Sequence, residues 1–189
     1  MEELKRISGR PLKVYDSAIT FEEIPDEVSL CLNISDCPCN CPQCSEEWLR
    51  PWVGEELTDE LLQQYIDENP DITCICFMGG DSNHDDVIRC CKYIREHTKL
   101  KTAIYSGFEF INMELAKWMN YYKIGRWIMP QGDPKDWWKT NCGVLQFPFS
   151  NQLLFENIGG RLFNITYKFR QKPLGSLESY IIRPEDNKE

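Results

Sequence analysis

The sequence predicts an α/β fold, an incomplete and open parallel α/β barrel, and three observations carry that prediction. Short apolar runs alternate with amphipathic segments of helical period, the pattern of right-handed βαβ crossovers on a parallel sheet. The chain has 189 residues, enough for one domain with a sizeable core but short of the ~250 residues of a closed eight-unit barrel. The turns with unusual chemistry each follow an apolar run. In parallel α/β architectures that places them together, because ligands sit at the C-terminal ends of the strands.

Residues 11–21, PLKVYDSAITF, read as an extended lead-in segment, and VSLCLNIS (28–35) as a compact apolar strand running into a cysteine-rich loop. LTDELLQQYIDEN (57–69) reads as a helix. Thr58 is its expected N-cap, with Asp59 and Glu60 in the first turn, where the helix dipole favours acids. DITCICFM (71–78) is nearly continuously apolar, as expected of a strand covered on both faces, and the turn Gly79-Gly80-Asp81 follows it. A helix is expected over 84–97 with Val87, Cys90, Cys91 and Ile94 on one face. KTAIYS (101–106) reads as a strand, NMELAKWMN (112–120) as a helix and IGRWIM (124–129) as another strand. Residues 130–142 form a polar, tryptophan-containing loop. GVLQF (143–147) and RLFNITYKF (161–169) read as further strands. In the second, the alternation of Phe163, Ile165, Tyr167 and Phe169 marks a half-exposed edge strand. The domain prediction is one unit over 1–160 and a C-terminal extension over 161–189, made of one strand and a frayed, charged tail.

A net charge of −9 argues against a nucleic-acid partner, which calls for a basic face, and leaves room for a basic protein partner. No run reaches the ~18 apolar residues of a membrane span. The N-terminus, MEELKRISGR, is too polar for a secretory signal, so a cytoplasmic location without a membrane partner is expected. Ten cysteines in such a chain point to metal or redox chemistry rather than to disulfides. Six of them, Cys31, Cys74, Cys76, Cys90, Cys91 and Cys142, lie on apolar or helical stretches and are expected to pack as small hydrophobes. His84 and His97 are expected to be solvated helix positions. Two histidines on or beside one helix support no Ser-His-Asp arrangement.

The other four, Cys37, Cys39, Cys41 and Cys44, crowd into ISDCPCNCPQCSEEW (34–48). Pro38, Asn40, Pro42 and Gln43 make this loop polar and turn-rich, which suits ligation better than packing. Structural zinc usually takes two Cys-x2-Cys knuckles far apart in sequence. Only one such knuckle stands here, Cys41 to Cys44, and a second pair from Cys74 and Cys76 would lie on a strand within the sheet. The spacing Cys37-x3-Cys41-x2-Cys44 instead lets three thiolates hold three corners of a 4Fe-4S cluster. Iron–sulfur clusters normally take four cysteines, so a three-cysteine site leaves one iron open, the logic of the open position at a catalytic zinc. Cys39 falls inside the x3 gap. It is an idle thiol, a stabiliser of the metal-free loop, or a sign of a different triplet.

The cysteine triplet after one strand and MGGD after the next resemble the radical S-adenosylmethionine superfamily. The order LNISDCPCNCPQC, CFMGGD, IYSGFE, FPFSNQ, over about residues 10–155, is most similar to the activating proteins of anaerobic ribonucleoside-triphosphate reductase. Two positions depart from the usual pattern: Ser82 follows Asp81 where proline is common, and Gln43 precedes the last cysteine where glycine or an aromatic is common.

The resemblance implies a radical SAM partial barrel with an extra C-terminal strand. It implies a 4Fe-4S cluster on Cys37, Cys41 and Cys44, with S-adenosylmethionine bound at the open iron and cleaved reductively to a 5′-deoxyadenosyl radical. That radical would generate a glycyl radical on anaerobic ribonucleotide reductase, with a one-electron reductant such as flavodoxin or ferredoxin. No catalytic side chain is expected beyond the cluster. By the same resemblance Gly79 and Gly80 lie beside the methionine moiety and Asp81 helps hold its ammonium group. Ser106 and Gly107 approach the ribose or the carboxylate, and Asn151, with Ser150 and Gln152, lies near the adenosine. The loop DPKDWWKT (133–140), with Trp137 and Trp138, is an expected contact patch, since tryptophan is enriched at interface hot spots. Two other functions fit the residues: a radical enzyme of this kind acting on a small metabolite, and a non-catalytic zinc or iron–sulfur interaction module. Metal content and nucleotide cleavage separate them.

Overall fold

The computed structural model describes residues 8–133, 136, 143, 145–146 and 150–169. Their elements, in chain order, are β1 (Lys13–Thr20), β2 (Ser29–Ile34), β3 (Glu55–Glu56), α1 (Asp59–Glu68), β4 (Cys74–Met78), α2 (His84–His97), β5 (Lys101–Tyr105), α3 (Met113–Ala116), β6 (Tyr121–Ile124), β7 (Leu153–Ile158) and β8 (Arg161–Asn164). All eight strands join one sheet in the order β3-β1-β2-β4-β5-β6-β7-β8. The sheet is mixed rather than parallel throughout. β2, β4, β5 and β6 run parallel to their neighbours in the order of the chain, and the flanking pairs β1–β2, β1–β3, β6–β7 and β7–β8 are antiparallel. The α/β class and a parallel centre therefore stand, and the edges are hairpin-like.

Strand alternation divides the core between the two faces of this sheet. Leu30, Leu32, Ile75, Phe77, Ile104 and Tyr122 point to the face covered by the helices. Cys31, Cys74, Cys76, Ala103 and Tyr121 point to the other face, covered by Ile24, Leu145 and Ile165 with Tyr167 and Phe169. Cys74, Cys76, Cys90 and Cys91 are fully buried, the packing role expected of them. Cys142 lies outside the described residues. On α2, Val87, Cys90, Cys91 and Ile94 form the buried stripe. Thr58 caps α1 by accepting from the Leu61 amide at 3.2 Å. Among the described residues no helix is long and apolar enough to cross a membrane.

Four expectations need correction. The helix expected over 112–120 is a single turn, Met113–Ala116. The strand expected over 124–129 is Tyr121–Ile124. Gly125, at φ 110°, turns the chain out of the sheet, and RWIM beyond it carries no ladder. β7 is a strand that the reading missed, and its partly exposed residues hide the two-residue period. The last expected strand stops at Asn164. Ile165, Tyr167 and Phe169 continue as a helical turn over Thr166–Lys168 and fold onto the sheet instead of alternating along it. Of GVLQF, Leu145 and Gln146 lie in a turn and Val144 and Phe147 are outside the described residues, as are Trp137 and Trp138.

Candidate metal centre

Three loops leave the C-terminal ends of β2, β4 and β5, and hydrogen bonds join them to one another. The first is the cysteine loop. Its backbone is held at both ends: the Asp36 amide donates to Pro51 O at 3.2 Å, the Cys37 amide to Leu49 O at 2.9 Å, and Arg50 Nη2 to Cys41 O at 2.7 Å. Asp36, Asn40 and Gln43 all take positive φ, at 67°, 47° and 53°, a region where asparagine and aspartate are tolerated and glycine is at ease. The left-handed backbone at Gln43 is one that glycine would adopt without strain. Its carbonyl accepts from Trp127 Nε1 at 2.7 Å, which lays the indole against the loop.

The four thiols are not equivalent. Cys39 and Cys41 are buried with Phe108, and Cys37 and Cys44 are partly buried beside them. The Cys37 sulfur receives the Cys39 thiol and the backbone amides of Cys39 and Asn40. These bonds outweigh the burial penalty and pull its pKa down to about 7. A concave array of amides is an anion-binding device, and here it favours a thiolate. The partner thiol is driven the other way: Cys39 is raised, first because it serves as donor to Cys37 and then by burial. Cys44 is raised by burial, partly offset by the Glu46 amide, which donates to its sulfur at 3.4 Å.

The second loop is Gly79-Gly80-Asp81. Both glycines have positive φ, 109° and 97°. A Cβ at Gly79 would meet Ile34 O at 3.1 Å and one at Gly80 would meet a Val87 methyl at 2.8 Å. The pair is needed to bring the chain from β4 close to β2 and onto α2. Asp81 is 2% exposed, and four donors converge on its carboxylate. Oδ1 accepts from Ser106 Oγ at 2.7 Å and from the His84 ring at 3.3 Å. Oδ2 accepts from the Gly107 amide at 2.7 Å, and at 3.8 Å it competes with the Cys37 sulfur for the single hydrogen of the Cys39 thiol.

Ser106 and Gly107 belong to the third loop. Gly107 has no room for a side chain, because its Cβ would lie 2.5 Å from Cys39 Sγ. The structure thus brings Cys37, Cys39, Cys41, Cys44, Gly79, Gly80, Asp81, Ser106 and Gly107 into one assembly. Asn151 lies against the turn that ends β6. Its Nδ2 donates to Arg126 O at 3.0 Å, and its Oδ1 is buried with no partner among the described residues.

Two residues of this region escaped the sequence reading. His84 is not a solvated helix position: its side chain is 9% exposed and lies edge-on to Phe108. The available signal was its place three residues after Asp81, on the first turn of a helix that starts at the sheet end. His97 is exposed, as expected. Lys123 is 7% exposed and donates to Gly125 O at 3.2 Å. Burial pushes its pKa down to about 8 against the opposing pull of Asp81, Cys41, Glu23 and Cys39. A lone lysine inside the apolar stretch YYKI was its signal.

Four cysteines on one loop are thiolate donors of the kind that an iron–sulfur cluster takes. Among the described residues no three Cys, His, Asp or Glu side chains close on one ion-sized point. A lone tetrahedral zinc draws its sulfurs to about 3.8 Å of one another through ~2.3 Å bonds, whereas the cysteines of a cluster bind separate irons at its corners. A family model described as a 4Fe-4S single cluster domain matches residues 27–128, just over half of the chain. No curated protein and no solved structure matches it.

Proposed function

The chain belongs to the 4Fe-4S single cluster domain family, and on that premise we propose that it is a radical S-adenosylmethionine enzyme that activates a glycyl radical reductase. The observation that carries this reading is the bonding of three strand-end loops through Asp81, which ties a cysteine-rich loop to a glycine-lined turn. In this reading the sheet is the wall of an incomplete barrel, and its parallel centre presents the site at the strands' C-terminal ends. When bound on Cys37, Cys41 and Cys44, the cluster would supply the electron that cleaves S-adenosylmethionine, and the resulting 5′-deoxyadenosyl radical would take hydrogen from a glycine of anaerobic ribonucleotide reductase.

The chain's own residues bind and orient. Cys37, with its depressed pKa, is ready to ligate near neutral pH, since the thiolate is the form that binds metal. Asp81 offers a buried carboxylate to the ammonium group, and the bare backbone at Gly79 and Gly80 admits the methionine chain beside it. The Asn151 Oδ1, buried without a partner among the described residues, is an acceptor suited to a ribose hydroxyl or the adenine amine. Phe108 and Trp127 shield the cysteine loop from water.

Anaerobic reconstitution tests the reading. About four irons per chain are expected, along with 5′-deoxyadenosine on reduction in the presence of S-adenosylmethionine. Cys41→Ala should abolish that product and Cys39→Ala should spare most of it. One zinc per chain and no nucleotide cleavage would replace the reading with a zinc-binding interaction module.

A further inference from the structure

The Asp81 carboxylate is linked through His84 to a helix cap on a later element. Asn112 caps the short α3 by accepting from the Glu114 and Leu115 amides at 3.0 and 3.3 Å through Oδ1. That cap fixes which way its amide faces. The NH2 end must point at His84, where Nδ2 lies 2.8 Å from Nδ1. Nδ1 is therefore an acceptor, the ring hydrogen sits on Nε2, and Nε2 donates to Asp81 Oδ1. The histidine's orientation and tautomer are thus both set by a helix cap 28 residues away in sequence.

We propose that His84 is a positioning residue for nucleotide binding. Its neutral Nε2–H tautomer, imposed by Asn112, holds the Asp81 carboxylate at the angle at which the nucleotide's ammonium group meets it. This deepens the function proposed above and rests on Asp81 as the ammonium contact. The geometry explains why a second donor is needed on Oδ1. Ser106 Oγ, Gly107 and Cys39 all approach from the β5 and cysteine-loop side, and His84 alone approaches from α2. Without it the carboxylate is held from the β5 side alone, by Ser106 and Gly107, and turns toward them. The arriving ammonium takes the place of the Cys39 thiol, the longest and chemically weakest of the four donors. With His84 in place, that thiol gives way and the carboxylate does not.

The test uses the reconstituted full chain and three variants. Iron content and the thermal midpoint report on assembly, independently of nucleotide. The change in the electron paramagnetic resonance of the reduced cluster, titrated with S-adenosylmethionine, reports affinity. His84→Leu should keep its iron and bind about tenfold more weakly, the worth of one hydrogen bond to a charged group. His84→Gln, whose amide reproduces the Nε2 donor, should recover to within about threefold of the wild type. Asn112→Ser keeps a good N-cap but withdraws the NH2 that fixes Nδ1 as the acceptor and steadies the ring. It should bind more weakly than the wild type, with an unchanged thermal midpoint. Wild-type affinity in His84→Leu, or equal losses in the Leu and Gln variants, would overturn the positioning role alone. A wild-type cluster that never responds to the nucleotide would sink the reading on which it rests, and the inference with it.

Discussion

Two carboxylates are buried at opposite ends of the same sheet, and each is satisfied in a different way. Glu27 stands where β2, β4, β5 and β6 begin. It takes hydrogen bonds from Thr73 at 2.6 Å, from Tyr121 at 2.9 Å and from Lys101, its ion-pair partner. Burial raises its pKa, but these bonds, Lys101 first, outweigh that and hold it below the ordinary value. Asp81 stands where the same strands end. Its four partners are a hydroxyl, an amide, a thiol and an imidazole donor. The buried cation on that side, Lys123, bonds to Gly125 O instead. A carboxylate with a built-in cation is a finished structural pair. One held by neutral donors keeps its position and leaves its charge to attract something else. A cleft of about 600 Å³ borders the Glu27 end, yet the carboxylate with unspent charge lies at the other end, where α/β folds bind ligands.

The largest expected effect comes from neutralising each carboxylate in turn. Asp81→Asn should leave iron loading intact and weaken the cluster's response to S-adenosylmethionine by about a hundredfold, since it removes a buried charge partner and sets an NH2 against existing donors. Glu27→Gln should leave that response unchanged and lower the denaturation free energy by about 1–3 kcal/mol, because Lys101 is half exposed and can turn to water. The pH dependence sharpens the contrast. The folded-state pKa of Glu27 lies below its ordinary value of 4.5, so its contribution is present above pH 4.5 and is lost as pH falls through the folded value. Acid titration of stability should show that loss in the wild type and lack it in Glu27→Gln. A nucleotide defect in Glu27→Gln would end the division between a structural and a functional carboxylate.

An intermediate effect is expected at Lys123, the charge that the Asp81 end keeps without pairing. Its folded pKa, about 8, lies below the ordinary lysine value of 10.5. The unfolded chain therefore binds more protons between those values, and stability should rise as pH goes from about 8 to 10.5. Lys123→Met should remove this rise and stabilise the metal-free chain at pH 7 by roughly 1–3 kcal/mol, since an apolar isostere escapes the desolvation cost of a buried charge. A destabilised variant would mean that Lys123 is more fully satisfied than its bond to Gly125 implies.

What the sequence could reveal tracks how local each signal is. The central strands and α2 were legible because periods of two and 3.6 residues belong to contiguous windows, and the Thr58 cap because it bonds three residues ahead. The site was legible where spacing carries chemistry, as in the cysteine loop and Gly79-Gly80-Asp81. His84 was not, because its burial depends on Phe108 and Asn112, from a loop two elements later. Lys123 is hidden for a similar reason: the apolar pattern sets its strand three residues late, and Gly125 ends the ladder that the pattern runs through. β7 depends on pairing with β6, and only its partner makes it a strand.

The smallest effect falls within the cysteine loop and concerns how Cys37 and Cys39 divide their protons. Cys37 is pulled down to about 7, first by the Cys39 thiol and also by the amides of Cys39 and Asn40. In the chain before a cluster is built, alkylation at Cys37 should rise with pH and reach half its maximal rate near pH 7, because only the thiolate reacts. Cys39, raised by the same bond and by burial, should be the slowest of the four loop cysteines. Cys39→Ala removes the donated S–H but leaves both amides, so the half-maximum should move part of the way toward the ordinary cysteine value. Peptide mapping after timed alkylation reads each site separately. A half-maximum unmoved in Cys39→Ala would assign the thiolate to the backbone amides alone. Cys39 would then keep only its contacts with Asp81 and Gly107, and the loop would prepare its first ligand through the left-handed turn at Asn40.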